Sequence, residues 1–354
     1  MSRCLHGLLL LLLSFVPFAA SAADGVLIPA PNAVDMVHDA KRGLVYISTS
    51  DGKILRYKIS TASFLTPFVP SPTADLSGID LMPDYSRIAV ADRDSSSTEL
   101  WAFEVNPNTG TITKVKAKKY AGEAGMFAVA YSYNGDLYAA SMYIPSAKAP
   151  IRRFYGKGRQ RLSKVVTTVM MYTMLAPSAD RKTIAFAESG ISNGPWGIID
   201  VPTGQVVRHD LYEEGLSGFN YEISTDTFGA TFILPDYAGA YVFNDAYQHI
   251  ATIGVPAEGQ PVGAAFHPTQ FRVYFPWATT SEIRVYDTTS WQQVGTFDAG
   301  YTFDHPGNIS FQPGRARLSA NGQYLMVKVD NGVRLIDLSV GMAAPKSAAV
   351  APGR

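Results

Sequence analysis

The sequence has a single cysteine, Cys4, and that residue lies ahead of an apolar run at the N-terminus. One cysteine excludes an internal disulfide, so a folded core must supply the stability. Charged residues make up only 17% of the chain, and 30 lysines and arginines balance 30 aspartates and glutamates. Because nucleic-acid-binding proteins carry a basic surface, a net charge of zero argues against nucleic acid as a partner.

Several catalytic and cofactor motifs are also missing. The sequence has no Walker loop and no strand-linked Gly-x-Gly-x-x-Gly, which disfavours a nucleotide cofactor. None of the 6 histidines forms a His-x-His or His-Glu-x-x-His pair, so we predict no metal site and no cofactor. Gly190–Gly194 has the letters Gly-x-Ser-x-Gly, but a strand follows it where a nucleophile elbow needs a helix, so we interpret Ser192 as a turn residue.

The N-terminus has the pattern of an export signal. Arg3 precedes the apolar run Leu8–Leu13, and small residues follow. This order predicts a secretory signal peptide over residues 1–23, cleaved near Ala22 or Ala23. The apolar run is too short for a lasting membrane span. We therefore expect a periplasmic or secreted protein with no stable membrane span after the signal is removed.

The rest of the chain repeats one strand-rich unit. No long segment keeps a helical apolar spacing, and each unit contains three or four short strands separated by polar turns. Tyr46 and Met326 occupy equivalent positions six repeats apart, which gives a period of about 47 residues. A period of this length with strands only predicts a seven-bladed β-propeller. The turns that define the repeats are Val37–Ala40, Met82–Tyr85, Tyr131–Asn134, Pro177–Asp180, Ile223–Asp226, Phe266–Thr269 and Leu318–Asn321.

The two ends of the repeat region complement each other. The seventh repeat ends at Leu338 without a fourth strand, whereas Gly25–Pro29 precedes the first repeat as an isolated strand. We predict that this N-terminal strand completes blade seven and closes the ring, which leaves no open sheet edge. The predicted organisation is one all-β propeller domain over residues 24–340, followed by a disordered Ala/Pro/Gly/Ser-rich tail over residues 341–354.

Two groups of segments carry a resemblance to a known family. Gly43–Thr49 with Ile54–Tyr57, and Gly263–Pro268 with Arg272–Phe275 and Ile283–Thr288, resemble the YVTN-repeat, lactonase-like seven-bladed β-propellers, whose blades are WD40-like. That group is also similar to the β-chain of quinoprotein amine dehydrogenases. The resemblance implies the propeller fold for nearly all of the mature chain. It leaves the activity open, because propellers serve as lyases, lactonases, dehydrogenase subunits and binding scaffolds.

The positions where the repeats differ are the candidates for function. Loops that lead into the inner strands share one face of a propeller with loops between the second and third strands, and both surround the channel mouth. Tyr301–Arg317 is the longest departure from the repeat, and we predict that it lies across or beside this mouth, facing Arg93 and Trp277. Arginines, carboxylates and aromatic rings together suit a polar or anionic ligand. The candidate ligand-binding residues are Arg93, Glu188, Trp196, Trp277, Asp304, His305 and Arg317.

Three functions are compatible with the sequence. The missing metal, nucleophile and cofactor motifs favour a non-catalytic propeller that binds a protein or a small polar ligand at the channel mouth. The alternative is a lactonase- or lyase-type enzyme, in which arginine polarises a carbonyl and a carboxylate or His305 moves a proton. A second alternative, suggested by the dehydrogenase resemblance, is an accessory subunit of a periplasmic redox enzyme. An enzyme should show converging acids and bases, and a binding module should show an aromatic rim.

Overall fold

A computed structural model describes residues 23–94, 98–143, 148–156, 161–254, 259–303 and 312–343. Residues 1–22 of the predicted signal peptide and residues 344–354 of the predicted tail lie outside these ranges. Asp304 and His305 also lie outside them. In the described ranges, no helix has the length and apolar character needed to cross a membrane.

Seven antiparallel sheets of four strands form the seven blades of a β-propeller, which confirms the predicted fold class. Each blade starts with its inner strand at the central channel and steps outward. From the inner to the outer strand, blade 1 contains β2 (Ala33–Asp39), β3 (Leu44–Thr49), β4 (Ile54–Lys58) and β5 (Ser63–Phe68), and blade 2 contains β6 (Leu76–Leu81), β7 (Ile88–Asp92), β8 (Glu99–Val105) and β9 (Ile112–Lys118). In the same order, blade 3 contains β10 (Glu123–Tyr131), β11 (Leu137–Tyr143), β12 (Lys148–Tyr155) and β13 (Leu162–Met170), and blade 4 contains β14 (Tyr172–Pro177), β15 (Thr183–Ser189), β16 (Trp196–Asp200) and β17 (Val206–His209). Blade 5 contains β18 (Ser224–Thr225), β19 (Phe232–Asp236), β20 (Gly239–Phe243) and β21 (His249–Ile253); blade 6 contains β22 (Ala265–Phe266), β23 (Arg272–Pro276), β24 (Glu282–Asp287) and β25 (Gln293–Asp298); and blade 7 contains β26 (Ala316–Leu318), β27 (Tyr324–Val329), β28 (Gly332–Asp337) and β1 (Val26–Pro29).

The N-terminal strand closes the ring, as predicted. β1 pairs antiparallel with β28, with Val26 opposite Leu335 and Pro29 opposite Gly332. Pro29 is tolerated because β1 is an outer edge strand, where a missing N–H costs no ladder bond. Gly332 has a φ of 144°, and a Cβ added there would lie 2.1 Å from the Ile28 carbonyl oxygen. The close pairing at this end of the strand therefore requires glycine.

The ordered propeller extends past the predicted boundary at residue 340. Ala343 exchanges two backbone hydrogen bonds with Thr296 of β25, at 3.1 and 3.2 Å. Met342 packs over Gly295, where an added Cβ would lie 2.2 Å from the methionine sulfur. Met342 and Ala343, which lie in the predicted tail, therefore contact blade 6.

The hydrophobic core lies between neighbouring blades. All six residues of β3 are buried, because a blade is covered on both faces by its neighbours and its middle strands are apolar throughout. The outer strands differ: β9 alternates, with Lys114, Lys116 and Lys118 exposed and Val115 and Ala117 buried. Lysines on an outer edge discourage pairing with other chains.

Candidate functional site at the channel mouth

The channel has two chemically different ends, because every inner strand runs in the same direction along it. We call one end the entry face, where connections lead into the inner strands and where loops join second and third strands. The other end is the turn face, where tight turns join inner strands to second strands. The inner strands of all seven blades surround a cavity of about 320 Å³. This volume is at the lower limit of about 300 Å³ for small-molecule pockets.

Arg317 of β26 links three blades at the entry-face end of this cavity. Its Nε and Nη2 donate to the two carboxylate oxygens of Asp35 in blade 1, at 3.1 and 3.3 Å. Its Nη1 donates to Glu222 Oε1 at 2.7 Å, in the segment that leads into blade 5. Gly314 permits this approach, because a Cβ there would lie 2.3 Å from Asp35 Oδ1. One guanidinium therefore serves two carboxylates.

Burial dominates the electrostatics of both acids. Glu222 is 1% exposed and Asp35 is 2% exposed. Loss of hydration raises the pKa of Glu222 to about 7, although the charge of Arg317 acts to lower it. Burial likewise raises the pKa of Asp35 above its ordinary value against the lowering effect of Arg317. Near neutral pH, this end of the channel therefore holds a carboxyl group that can gain or lose a proton.

Three further cations lie around the same mouth. The Lys328 Nζ donates to Gln312 Oε1 at 2.5 Å. Burial, together with the positive charges of Arg315 and Arg93, lowers the pKa of Lys328 to about 8, although Asp35 and Asp330 act to raise it. Arg93 donates to Asp75 Oδ1 at 2.6 Å, and its Nε is buried without a hydrogen-bond partner in the described part of the chain. These cations repel one another across a partly dehydrated surface.

Aromatic side chains are exposed on the entry face of blades 3 to 5. They lie in the connections that lead into blades 3 and 5 and in the loop between the second and third strands of blade 5. Phe219 and Tyr237 approach each other with ring centroids 6.2 Å apart. The aromatic rim, as we call it, consists of Tyr120, Tyr212, Phe219 and Tyr237, which are 49%, 60%, 37% and 42% exposed.

Two of the predicted site residues, Arg93 and Arg317, lie at the mouth. Arg93 follows β7, and its backbone packs on Gly125 of blade 3, where an added Cβ would lie 2.0 Å from the Arg93 carbonyl oxygen. The described ends of the predicted Tyr301–Arg317 loop also lie on the entry face. Phe303 accepts a hydrogen bond from the Thr279 N–H at 2.9 Å, and Pro313 lines the cavity.

Glu188 is a correction to the prediction. It lies at the entry-face end of β15 as its chain position implies, but it is 0% exposed. Its carboxylate accepts a hydrogen bond from the Met170 N–H at 2.8 Å and forms an ion pair with Arg208. Glu188 therefore joins blade 4 to the end of blade 3 and does not face the mouth.

The two tryptophans are also buried rather than exposed at the rim. Trp196 is 1% exposed and packs against Phe232 and Phe243 of blade 5, with centroid distances of 5.4 and 4.7 Å. Trp277 is 0% exposed, and the Arg284 guanidinium lies 3.8 Å from its ring centroid. Both rings fill space within and between blades, because a large apolar surface gains more from burial than a rim position offers.

The structure adds residues that the sequence analysis did not select, namely Asp35, Glu222 and Lys328. A signal was available for two of them. Asp35 is flanked by apolar residues on both sides in the first part of β2, and Lys328 lies in the apolar strand β27. A charged residue inside a buried strand needs a partner, so such a position indicates a special environment. Glu222 gave no comparable signal.

The histidines in the described ranges do not form a common site. His267 Nδ1 accepts hydrogen bonds from the N–H groups of Thr269 and Gln270 at 3.2 and 3.0 Å, so this side chain caps a turn. His38 is buried, and its ring centroid lies 5.2 Å from that of Tyr324. Within the described ranges, no group of three or more His, Cys, Asp or Glu residues is arranged to hold a metal ion.

Comparisons with known proteins show the fold and no more. No protein-family model matches the sequence, and no curated protein matches it. Hydrazine synthase of Kuenenia stuttgartiensis is similar in structure, with a TM-score of 0.65 and 13% identity over 89% of this chain and 98% of that chain. The β-propeller domain of Myceliophteria thermophila Cps50 (Swd1) has a TM-score of 0.64 and 11% identity over 88% and 98%. The chain therefore shares a β-propeller fold with both.

Proposed function

We propose that this protein is a non-catalytic binding propeller that recognises a small polar ligand with negative charge at the entry-face mouth of its channel. The observation that supports this function is that three cations lie close enough to interact: the positive charges of Arg315 and Arg93 both act to lower the pKa of Lys328. An anion placed among these cations would be attracted to all three and would relieve their mutual repulsion. The aromatic rim on the same face offers a surface for a ligand that carries a ring or an apolar group.

The buried acids favour binding over chemistry. The guanidinium of Arg317 already donates to Asp35 and Glu222. Its hydrogen bonds therefore hold blades together and are not available to a substrate. A lactonase- or lyase-type enzyme is a second candidate, supported by the pKa of about 7 for Glu222 and of about 8 for Lys328. Groups with such pKa values are suited to proton transfer near neutral pH.

We also propose the cellular setting and the family from the sequence. The predicted signal peptide supports a periplasmic or secreted location, where the ligand would be met outside the cytoplasm. The resemblance of Gly43–Thr49 and Gly263–Pro268 to YVTN repeats supports membership of the lactonase-like propellers. The accessory-subunit alternative rests on that resemblance alone.

The binding proposal is tested by isothermal titration with oxalate and with inorganic phosphate at pH 7. We expect binding by the wild type and at least tenfold weaker binding by Arg315→Gln and Arg93→Gln. Lys182→Gln is the matched control, because Lys182 is 60% exposed on the turn face. It should bind like the wild type. An absence of binding by the wild type, or unchanged affinity in both arginine variants, would contradict the proposal. If the wild type instead hydrolyses members of a panel of lactones and Glu222→Gln does not, the enzyme alternative is favoured.

A further inference from the structure

We infer that the entry face at blade 5 carries a second binding surface, which docks a segment of a partner protein that carries lysine or arginine beside apolar side chains. This surface, the acid–aromatic patch, consists of Tyr212, Glu213, Glu214, Phe219 and Tyr237, all of which are exposed. The inference goes beyond the proposed function and does not depend on it, because the three cations of the anion site belong to blades 2 and 7.

The part of the chain that forms the patch carries charge of one sign. Between Arg208 and Arg272 the sequence has no lysine or arginine, and its acids there are Asp210, Glu213, Glu214, Glu222, Asp226, Asp236, Asp245 and Glu258. In the described ranges, neither Glu213 nor Glu214 forms an ion pair. Burial lowers the pKa of the nearby His209 below its ordinary 6.5, so His209 is neutral at pH 7 and does not balance the two charges. Charge complementarity therefore favours a cationic partner.

The three rings of the patch have faces that a partner can cover. On the same rim, the Arg152 guanidinium lies 5.1 Å from the ring centroid of Tyr120, so this ring already has a cation from its own chain. No lysine or arginine of the described residues lies over a ring of the patch. A lysine or arginine of a partner would occupy there the place that Arg152 occupies at Tyr120, and apolar side chains beside it would cover the ring edges.

A buried carboxylate lies between the backbone segments that carry two of these rings. Asp236 is 0% exposed and directly precedes Tyr237. A Cβ added to Gly218, the residue before Phe219, would lie 2.0 Å from Asp236 Oδ2. The Ala238 N–H donates to Oδ1 at 3.1 Å, whereas Oδ2 is buried without a hydrogen-bond partner among the described residues. A cation docked at the two rings would be attracted by this charge as well.

The patch is held in place before a partner arrives. A 3-10 helix over Leu211–Glu214 carries its first residues, and the Asp210 carboxylate caps this helix by accepting from the Tyr212 N–H at 3.2 Å. The Gly218 N–H donates to the Ser192 carbonyl oxygen of blade 4 at 3.1 Å, so little ordering is needed on binding. No residue of the patch lines the channel cavity. Because small-molecule sites are concave, this surface suits a protein segment.

The test uses a short fluorescein-labelled peptide in which arginine and leucine alternate, with binding followed by fluorescence anisotropy at pH 7. We expect binding by the wild type that weakens with added salt, about tenfold weaker binding by the double variant Glu213→Gln, Glu214→Gln, and about fivefold weaker binding by Tyr212→Ser. These three side chains are exposed, so the variants should keep the wild-type urea unfolding curve.

Two variants on the opposite face are the matched controls. Asp245→Asn removes an exposed acid from the turn between β20 and β21 of the same blade. Tyr133→Ser removes a ring that is 48% exposed in the inner turn of blade 3. Both should bind the peptide like the wild type. Equal weakening in a control and in its patch counterpart would overturn the inference, because the effect would then be one of total charge or of surface hydrophobicity.

Peptide variants test the chemistry of the occupant. Glutamate in place of arginine should abolish binding, and serine in place of leucine should weaken it about tenfold. A wild type that does not bind the arginine–leucine peptide, or that binds the glutamate peptide equally well, would contradict the inference.

Light scattering of the protein alone at low salt tests the competing occupant. We expect a monomer. A dimer that the double variant Glu213→Gln, Glu214→Gln dissociates would mean that a second copy of this chain covers the patch, and the partner-protein inference would be wrong. Oxalate titration separates the two proposals: if oxalate binds and the peptide does not, this inference fails and the proposed function stands, whereas the reverse result leaves the patch and removes the anion site.

Discussion

An arginine bridges non-neighbouring blades at each end of the channel, and the two bridges differ in charge balance. At the turn face, Arg181 of blade 4 donates to both oxygens of Asp80 in blade 2, at 2.5 and 3.0 Å. It also donates to the Tyr131 carbonyl oxygen at 3.0 Å, and the Tyr131 N–H donates to Asp80 at 2.7 Å. One cation therefore meets one anion with every carboxylate oxygen satisfied. At the entry face, Arg317 is divided between two buried carboxylates.

The number of carboxylates that each arginine binds distinguishes a structural ion pair from one that can respond to pH and to ligands. A single ion pair with complete hydrogen bonding is neutral, so it has no unbalanced charge that would favour proton exchange or ligand binding. Two buried acids that share one arginine carry an excess negative charge, which a proton or a nearby cation can relieve. Arg315 and Lys328 are those nearby cations, and burial lowers the pKa of each of them. The entry face is therefore the end that should respond to pH and to ligands.

The largest expected effect concerns the turn-face bridge. Arg181→Met leaves Asp80 buried without its counter-charge, and breaking such a pair costs about 3 kcal/mol of unfolding free energy. Urea unfolding at pH 7 measures the loss. Lys182→Met is the control at the adjacent, exposed position, and it should change the stability by less than about 0.5 kcal/mol. Equal effects of the two variants would mean that the bridge does not hold the blades together.

The entry-face bridge should give a smaller loss that depends on pH. Arg317→Met removes the cation that is hydrogen-bonded to Asp35 and Glu222, but both acids have raised pKa values and can neutralise themselves by binding protons. We expect a loss of about 2 kcal/mol at pH 8 and a clearly smaller loss at pH 5.5. Urea unfolding of variant and wild type at both pH values measures this difference. A loss that is the same at both values would remove the contrast between the two bridges.

The fold could be predicted from the sequence because each blade is encoded by its own local pattern of strands and turns. The turn segments recur at a fixed period, and the missing fourth strand after Leu338 together with Gly25–Pro29 predicted the closure seen between β1 and β28. The entry face could also be identified, since loop order in a propeller follows from strand order. Arg93 and Arg317 were placed on that face in this way, and their part in ligand binding stays a prediction.

The wrong and missed residues have one cause in common. Trp196 and Glu188 lie at the predicted end of their strands, but whether a side chain points outward or into the next blade depends on packing that no local pattern records. Glu222 is 95 residues from Arg317 in the chain, and their blades are not neighbours. Contacts of this kind arise from closing the ring, so a repeat pattern contains no information about them.

Removing the excess acid should stabilise the protein at high pH. The pKa of Glu222 in the folded protein is about 7, above its ordinary value of 4.5, so its favourable contribution is present below about pH 4.5 and is lost as pH rises through 7. Glu222→Gln keeps an acceptor for Arg317 without the charge. We expect the variant to be about 1–2 kcal/mol more stable than the wild type at pH 8 and equal to it near pH 5. Urea unfolding of both proteins at the two pH values measures this. A variant that is less stable at pH 8 would show that the ionised Glu222 is needed by the bridge.

The smallest expected effect concerns Lys328, a cation at the same entry-face end of the channel. Its pKa in the folded protein, about 8, lies below the ordinary 10.5, so the unfolded chain binds more protons between these values and wild-type stability rises with pH through this window. Lys328→Met removes a poorly solvated charge and should gain about 1 kcal/mol at pH 7, a gain that disappears near pH 10. Lys328→Arg, which keeps a charge at all these pH values, should show no gain at either. Thermal unfolding with and without oxalate completes the test: oxalate should stabilise the wild type more than Lys328→Met, because only the wild type offers the third cation. Equal stabilisation of both proteins would mean that the amine of Lys328 takes no part in anion binding at the entry face.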